Sequence, residues 1–330
     1  MKWRRILTPR TFSTDDTLTV LIRYPAADEY AASLRNQFPK LRVLCASDDV
    51  SLESYMAEAD ILLAPSFPVK LVSKARRLKW FQCTNAGIDT VLPIRDQLNE
   101  LIITNARGVH GELIADYVIA GITMLHWDFP RFMREQARKE WRDRSITLLA
   151  EQTLGVVGLG SIGAAIARRA KGAGMRVIGC KRDVTEPVPY VDELLPSSGL
   201  EELLTLSDFV VLAVPRIPET ERLIGRAQFR QMRRTAFLVN IARGAVVAES
   251  ELIEALVSGE IAGALLDVFE QEPLPAESPL WTMPNVIVTP HVAGWRSDYD
   301  RRTLDIFSEN IHCFLEDPPL QNVIDLSRGC

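Results

Sequence analysis

The chain has 330 residues, of which 47 % are hydrophobic and 25 % charged. That length suits two globular domains, and the composition excludes disordered, collagenous and disulfide-scaffold proteins. With 38 basic and 43 acidic side chains the formal charge is −5 and the pI near 5.6, so there is no basic excess for a nucleic-acid footprint and no nucleic-acid partner is expected.

Residues 1–14 carry four basic and no acidic side chains; they read as a loose N-terminal tail, with an organelle-import segment as the alternative. From Thr17 onward, short β-branched runs (LTVLIRY, LRVLCAS, ADILLAP, LKWFQCTN, LIITNA) alternate with helical or turn segments, a rhythm that predicts parallel βα units. It breaks after Asn105. Between Gly111 and Trp127 the apolar residues Leu113, Ile114, Tyr117, Val118, Gly121, Ile122 and Leu125 follow the period of one long helix. A charged stretch, Arg131 to Arg144, comes next. From Thr153 a second series (LGVVGLG, MRVIGCK, FVVLAVP, AFLVNIA, GALLDVF, NVIVTPHV) predicts six further strands and a second doubly wound sheet. No apolar run approaches the roughly 18 residues that span a bilayer, so no membrane partner is expected. The cysteines Cys45, Cys83, Cys180, Cys313 and Cys330 are odd in number, scattered and free of any CxxC spacing. They suggest neither disulfides nor a metal site, and fit a reducing, cytoplasmic setting.

Gly158, Gly160 and Gly163 form G-x-G-x-x-G at the end of a predicted strand, with Ser161 and Ile162 opening the helix that follows. The first glycine permits a tight turn, the second lets backbone reach a pyrophosphate, and the third allows close helix packing, with the helix N-terminus facing the anion. An acid at the end of the next strand would hold the ribose 2′-OH of NAD. Lys181 and Arg182 stand there instead, and two cations suit a 2′-phosphate. NADP is therefore favoured over NAD. In the alternative both are solvated turn residues and Asp183 holds an NAD ribose.

Arg243 in LVNIARG, Glu272 in LDVFEQEP and His291 in VTPHVAGW lie at three strand ends, where an open α/β sheet binds its ligands. Singly they could be a loop ion-pair residue, a turn acid and a core histidine. Together with GLGSIG, the segments NARGVHGELIADY, VNIARG, LDVFEQEP and TPHVAGW resemble the D-isomer-specific 2-hydroxyacid dehydrogenase family from about residue 17 to the C-terminus. The HxxGW variant and the ending NVIDLSRG are most similar to its glyoxylate/hydroxypyruvate reductase-like branch.

The resemblance implies an α/β chain with two doubly wound parallel-sheet domains. A flavodoxin-like substrate domain (1–109, completed by 294–330) would hold an inserted Rossmann dinucleotide-binding domain (110–293), with the chemistry in the cleft. It also implies that Arg243 grips the substrate carboxylate and carbonyl, that His291 exchanges the proton and that Glu272 pairs with it. Ala86 and Gly87 would offer backbone N–H groups to the carboxylate, and Trp295 would border the substrate. Val214 and Pro215 would line the adenosine end, and Asp267 would bond the nicotinamide carboxamide. Physical sense supports the catalytic set: arginine binds a carboxylate through two parallel bonds, and a carboxylate beside histidine favours its protonated form.

The expected activity is NAD(P)H-dependent reduction of a small 2-oxoacid to a D-2-hydroxyacid. A phosphoglycerate dehydrogenase and an NAD(H)-sensing corepressor-like protein are the alternatives. A homodimer is expected, because Ile119, Ile122, Met124 and Trp127 add apolar surface to the long helix. Trp141 reads first as packing locally; the alternative is that it caps a partner subunit's substrate, as an aromatic residue of this arm does in related reductases. Lys181, Asp116 and Arg216 depart from the usual family pattern, and His110, beside the domain crossing, is a candidate for substrate or hinge contact.

Overall fold

The two alternating series of the sequence form two separate parallel sheets in a computed structural model that describes residues 17–326 apart from 88, 99 and 317. The basic N-terminal segment and the end of NVIDLSRG lie outside the described residues. The described residues form two compact units, one made of those up to Val109 and from Ser297 on, the other of His110–Arg296.

In the first unit, β1 (Thr19–Ile22), β2 (Arg42–Cys45), β3 (Ile61–Ala64), β4 (Trp80–Cys83) and β5 (Ile102–Thr104) pair in the order β2-β1-β3-β4-β5, the flavodoxin-like arrangement. Strands β1, β3 and β4 are buried throughout, as parallel strands covered on both faces must be, which is why they read as unbroken apolar runs. One face packs against α1 (Ala27–Gln37), through Tyr30, Ala31 and Leu34, and against the C-terminal helix (Tyr299–Glu316), through Phe307, Ile311 and Phe314. The other packs against α2 (Asp49–Met56), through Leu52 and Met56, which Asp48 and Ser51 start with a reciprocal capping box. The polar tip of the fully buried Trp80 is satisfied: Nε1 donates to Thr104 Oγ1 (2.7 Å), which donates to Gln82 Oε1 (2.7 Å).

The second unit starts with α3 (Gly111–Trp127), the long helix that the periodicity predicts. It stops where Asp128 turns into the left-handed region (φ 57°) and α4 (Phe129–Arg138) begins on a Pro-containing first turn. The remaining elements are β6 (Thr153–Val157), α5 (Ser161–Gly172), β7 (Arg176–Lys181), β8 (Glu193–Pro196), α6 (Leu200–Leu206), β9 (Phe209–Leu212), α7 (Arg226–Gln231), β10 (Phe237–Asn240), α8 (Glu249–Ser258), β11 (Gly263–Leu266) and β12 (Val286–Val288). The sheet runs β12-β11-β10-β9-β6-β7-β8, all parallel, so its order reverses between β6 and β9, the Rossmann switch point.

Seven strands replace the six expected. The extra one, β8, is an edge strand with no fully buried residue and a terminal proline, so it lacks the apolar run that betrays the others. The apolar face proposed for α3 also needs correction. Ile122 is fully buried in the core with Val118 and Leu125, whereas Trp127 is exposed, as are Phe129 and Met133 of α4. Trp141 does not pack locally, since it is 98 % exposed. Among the described residues, no helix is long and apolar enough to cross a membrane.

Candidate active site

Strand β6 delivers the chain into the glycine turn. Gly158 has φ 97°, and its N–H donates to the Cys180 carbonyl of β7 (2.9 Å). A Cβ there would stand 2.6 Å from the Ala213 carbonyl oxygen and 2.9 Å from Val214 Cγ1, and one on Gly163 would collide with the Gly158 carbonyl. The protein's own packing thus demands the first and third glycines. Gly160 differs, because a Cβ there would meet no protein atom within 4 Å, and its side faces open space at the start of α5. That is where a pyrophosphate can rest against backbone and the helix N-terminus, with Ser161 and Ile162 as the first helical residues. The residues present fit a dinucleotide.

Around this cradle, Val214 and Pro215 follow β9, and Lys181 ends β7 with the exposed Arg182 next to it. Asp183 turns part of its carboxylate onto its own loop, where Oδ1 accepts from Thr185 N (3.0 Å) and Oγ1 (2.7 Å).

Because all strands of the sheet are parallel, the ends of β6, β9, β10, β11 and β12 share one edge. Arg243 stands three residues beyond β10, where its Nη1 donates to the Ala242 carbonyl (2.7 Å) and its backbone carbonyl accepts from Asn240 Nδ2 (3.2 Å). Glu272 lies on the turn after β11, and its Oε1 accepts from Phe269 N (3.0 Å). Its Oε2 lies 2.8 Å from His291 Nδ1, just beyond β12. Both side chains are partly open to solvent. His291 has φ 54°, a left-handed conformation costly for a residue with a Cβ and found where the surroundings impose it.

Those surroundings centre on Asp267, at the end of β11 and 2 % exposed. Its Oδ1 accepts from Thr289 Oγ1 (2.6 Å) and Val292 N (2.9 Å), and its Oδ2 from Ala293 N (3.0 Å). Thr289 donates to Asp267, so at 2.6 Å the Tyr117 hydroxyl of α3 donates to Thr289 Oγ1. Burial pushes the Tyr117 hydroxyl up to about 12, which keeps it a donor. The sequence reading missed this loop-holding network because Asp267 and Tyr117 lie far apart in the chain. A second tether was equally hidden: His110 Nδ1 is 2.9 Å from the Gly294 carbonyl oxygen. The turn then presents Trp295, 78 % exposed.

In the first unit, Ala86 and Gly87 follow β4 and are partly exposed. Side chains hold the backbone of their loop. Asn105 Nδ2 donates to the Ala86 carbonyl (2.6 Å), Asn85 Nδ2 to the Pro65 carbonyl (3.0 Å), and the Tyr299 hydroxyl to the Thr84 carbonyl. Asn105 was visible in the NARGVHG segment, but nothing local in the sequence marks it as a loop anchor. Two departures from the family pattern are ion-paired: Asp116 meets Arg169 at 2.9 Å and Arg216 meets Glu221 at 3.4 Å.

A glycine cradle at the reversal point of a doubly wound sheet, with a carboxylate–imidazole pair on the same edge, defines an NAD(P)-dependent oxidoreductase. Residues 119–293 match the family described as D-isomer specific 2-hydroxyacid dehydrogenase, NAD binding domain. A glyoxylate reductase of Korarchaeum cryptofilum is 38 % identical over 262 residues, 77 % of this chain and 78 % of that protein. The structure of a D-isomer specific 2-hydroxyacid dehydrogenase from Xanthobacter autotrophicus, in complex with NADPH and MES, superposes with a TM-score of 0.85 at 32 % identity, over 94 % of this chain and 99 % of that one. An NADPH-dependent glyoxylate/hydroxypyruvate reductase from Sinorhizobium meliloti, in complex with NADP and sulfate, gives 0.85 at 29 % identity, over 96 % and 100 %. The chain belongs to the D-isomer specific 2-hydroxyacid dehydrogenase family.

Proposed function

We propose that this protein uses NADPH to reduce a small 2-oxoacid of the glyoxylate or hydroxypyruvate type to the corresponding D-2-hydroxyacid. The observation that carries the reading is the 2.8 Å pair between His291 Nδ1 and Glu272 Oε2 on the edge that also bears the cradle. The names of the Korarchaeum and Sinorhizobium relatives support the substrate class.

When bound, the nicotinamide supplies the hydride that adds to the carbonyl carbon. The chain's residues do the rest. Arg243 offers a guanidinium fork to the substrate carboxylate and carbonyl oxygen, fixing the carbonyl for attack. The backbone N–H groups of Ala86 and Gly87 bind the carboxylate, and Trp295 borders the substrate. Glu272 accepts from Nδ1, so Nε2 is the nitrogen that exchanges the proton. Nε2 gives its proton to the carbonyl oxygen during reduction and recovers one from the hydroxyl during oxidation.

Gly158–Gly163 would hold the pyrophosphate of the dinucleotide, and Val214 and Pro215 would line its adenosine end. Asp267 Oδ2, with one bond to Ala293 N, has capacity to accept another from the carboxamide. Lys181 and Arg182 take the 2′-phosphate. The absence of an acid at the end of β7, and the local turn that engages Asp183, support NADPH over NADH.

Steady-state kcat/KM for glyoxylate and hydroxypyruvate with each cofactor tests the proposal. NADPH is preferred, and Arg182→Ala erodes NADPH use by roughly 10- to 100-fold, the worth of one charge-assisted contact, while NADH use changes little. Equal use of both cofactors removes the phosphate-site assignment. Cofactor binding without turnover of any 2-oxoacid removes the reductase and favours the corepressor-like alternative.

The same proposal makes the protein a cytoplasmic homodimer. Trp127, Phe129, Met133, Trp141 and Leu148 are all exposed along the α3–α4 arm and the segment after it, an apolar surface that a symmetric copy would bury. Trp141 would then reach the partner's substrate site. Light scattering at the 37.0 kDa monomer mass overturns this.

A further inference from the structure

The histidine at the start of α3 has no part in the chemistry above, yet it joins two functional segments. His110 is the N-cap residue of α3, and its carbonyl accepts the first helical bond from Ile114 N (3.0 Å). On one side, the adjoining Gly111 lies so close to α5 that a Cβ there would stand 3.2 Å from the Ser161 carbonyl oxygen and 3.5 Å from Ala165 Cβ. The first turn of α3 therefore abuts the first turn of the cradle helix.

On the other side, the His110 ring lies over the loop that carries His291. Its Nδ1 is 2.9 Å from the Gly294 carbonyl oxygen. A Cβ on Gly294 would stand 3.1 Å from Nδ1 and 3.6 Å from both Cε1 and Cγ, so the ring covers the Gly294 backbone as well as bonding to it. Asp267 holds the same loop at Val292 and Ala293, and Trp295 N closes a turn onto the Val292 carbonyl (2.9 Å). Gly294 is thus the point at which the far end of the turn is tied down.

We infer that His110 is a positioning residue for the proton-transfer step, fastening the His291–Trp295 loop to the helix end that abuts the cofactor cradle. The inference rests on the proposed reductase reading. A carbonyl oxygen only accepts, so Nδ1 must carry the proton, and the neutral ring is held as the Nδ1–H tautomer. Burial, with Arg296 and Arg243 nearby, pushes the His110 imidazole below its usual range, so the ring acts as an uncharged donor. Asn is the conservative substitute, since its amide presents a donor near the position of Nδ1.

Three readouts test the inference. His110→Ala lowers kcat for glyoxylate reduction roughly 10- to 100-fold, the cost of a misplaced reacting group, with NADPH affinity almost unchanged; His110→Asn restores most of that loss. Gly294→Ala pushes the ring away and lowers kcat in the wild-type background but adds nothing to His110→Ala, so the double variant equals the single one. Nitrogen-15 NMR of the imidazoles shows a protonated Nδ1 and an unprotonated Nε2 for His110 at pH 8. The inference is overturned if Asn behaves like Ala, if the two substitutions multiply, or if the ring is the Nε2–H tautomer. Should the wild-type protein bind NADPH yet reduce no 2-oxoacid, the functional reading fails. The tautomer, and the same double-variant cycle read in thermal unfolding, still decide whether the tether exists.

Discussion

Both units place their candidate site on the C-terminal edge of a parallel sheet, yet they present different chemistry there. In His110–Arg296 the edge carries side chains: Arg243, Glu272 and His291 each stand just beyond a strand, and His291 and Glu272 are joined by a direct bond of 2.8 Å. In the flavodoxin-like unit the corresponding loop carries backbone. Ala86 and Gly87 have no functional side chain, and Asn105, Asn85 and Tyr299 hold the surrounding peptide groups from behind. A site made of side chains fails when one is truncated. A site made of N–H groups survives most single substitutions and fails by degrees, as its supports are removed.

Substitutions that break the comparison on the side-chain side have the largest effects. His291→Gln removes the proton donor and lowers kcat in both directions by about 10²- to 10⁴-fold, the usual contribution of general acid–base catalysis. NADPH affinity, followed by fluorescence titration, stays near wild type because the proposed pyrophosphate cradle is Gly158–Gly163 and not this histidine. Turnover above a tenth of wild type would remove His291 from the chemistry. Glu272→Gln comes next. It exchanges the carboxylate that accepts from Nδ1 at 2.8 Å for a weaker amide acceptor, so the ring is oriented less firmly and kcat falls by about 10- to 100-fold in both directions while NADPH affinity holds. Wild-type kcat in this variant would mean that Glu272 does not hold His291.

On the backbone side, Asn105→Ala releases the Ala86 carbonyl from its 2.6 Å bond. One hydrogen bond of this kind is worth about 0.5 to 1.5 kcal/mol, so KM for the oxoacid rises roughly 2- to 10-fold while kcat changes less. A collapse of kcat as deep as that of His291→Gln would erase the contrast between the units.

The smallest effect sharpens the picture of the loop's base. Cys83 is fully buried at the end of β4, with its Sγ 3.3 Å from the Pro65 carbonyl oxygen, and burial raises its thiol from about 9 to about 11. The native thiol therefore stays protonated and resists alkylation at pH 8. The unfolded chain ionises near 9 and the folded chain near 11, so deprotonation favours unfolding. Cys83 contributes stability that is fully present below pH 9 and is lost as the pH climbs toward 11. Denaturation midpoints across that window fall more steeply for wild type than for Cys83→Ala; parallel slopes would mean the thiol is not shielded.

The sequence by itself determined the two α/β series, the span Gly111–Trp127 of α3, the cradle glycines and the three strand-end residues. Each depends on local pattern: buried parallel strands must be continuously apolar, a helix must repeat with its own period, and a phosphate cradle needs glycine at fixed spacing. Edge strand β8 escaped because an edge needs no apolar run, and Ile122 was misassigned because periodicity gives a face but not what covers it. Tertiary structure alone decided what holds the chemistry in place. The bonds from Asp267 to the loop after β12, from Tyr117 to Thr289, from His110 to Gly294 and from Asn105 to Ala86 join residues 19 to 184 positions apart. Their partners are fixed by how strands and helices pack, and no spacing in the chain encodes that.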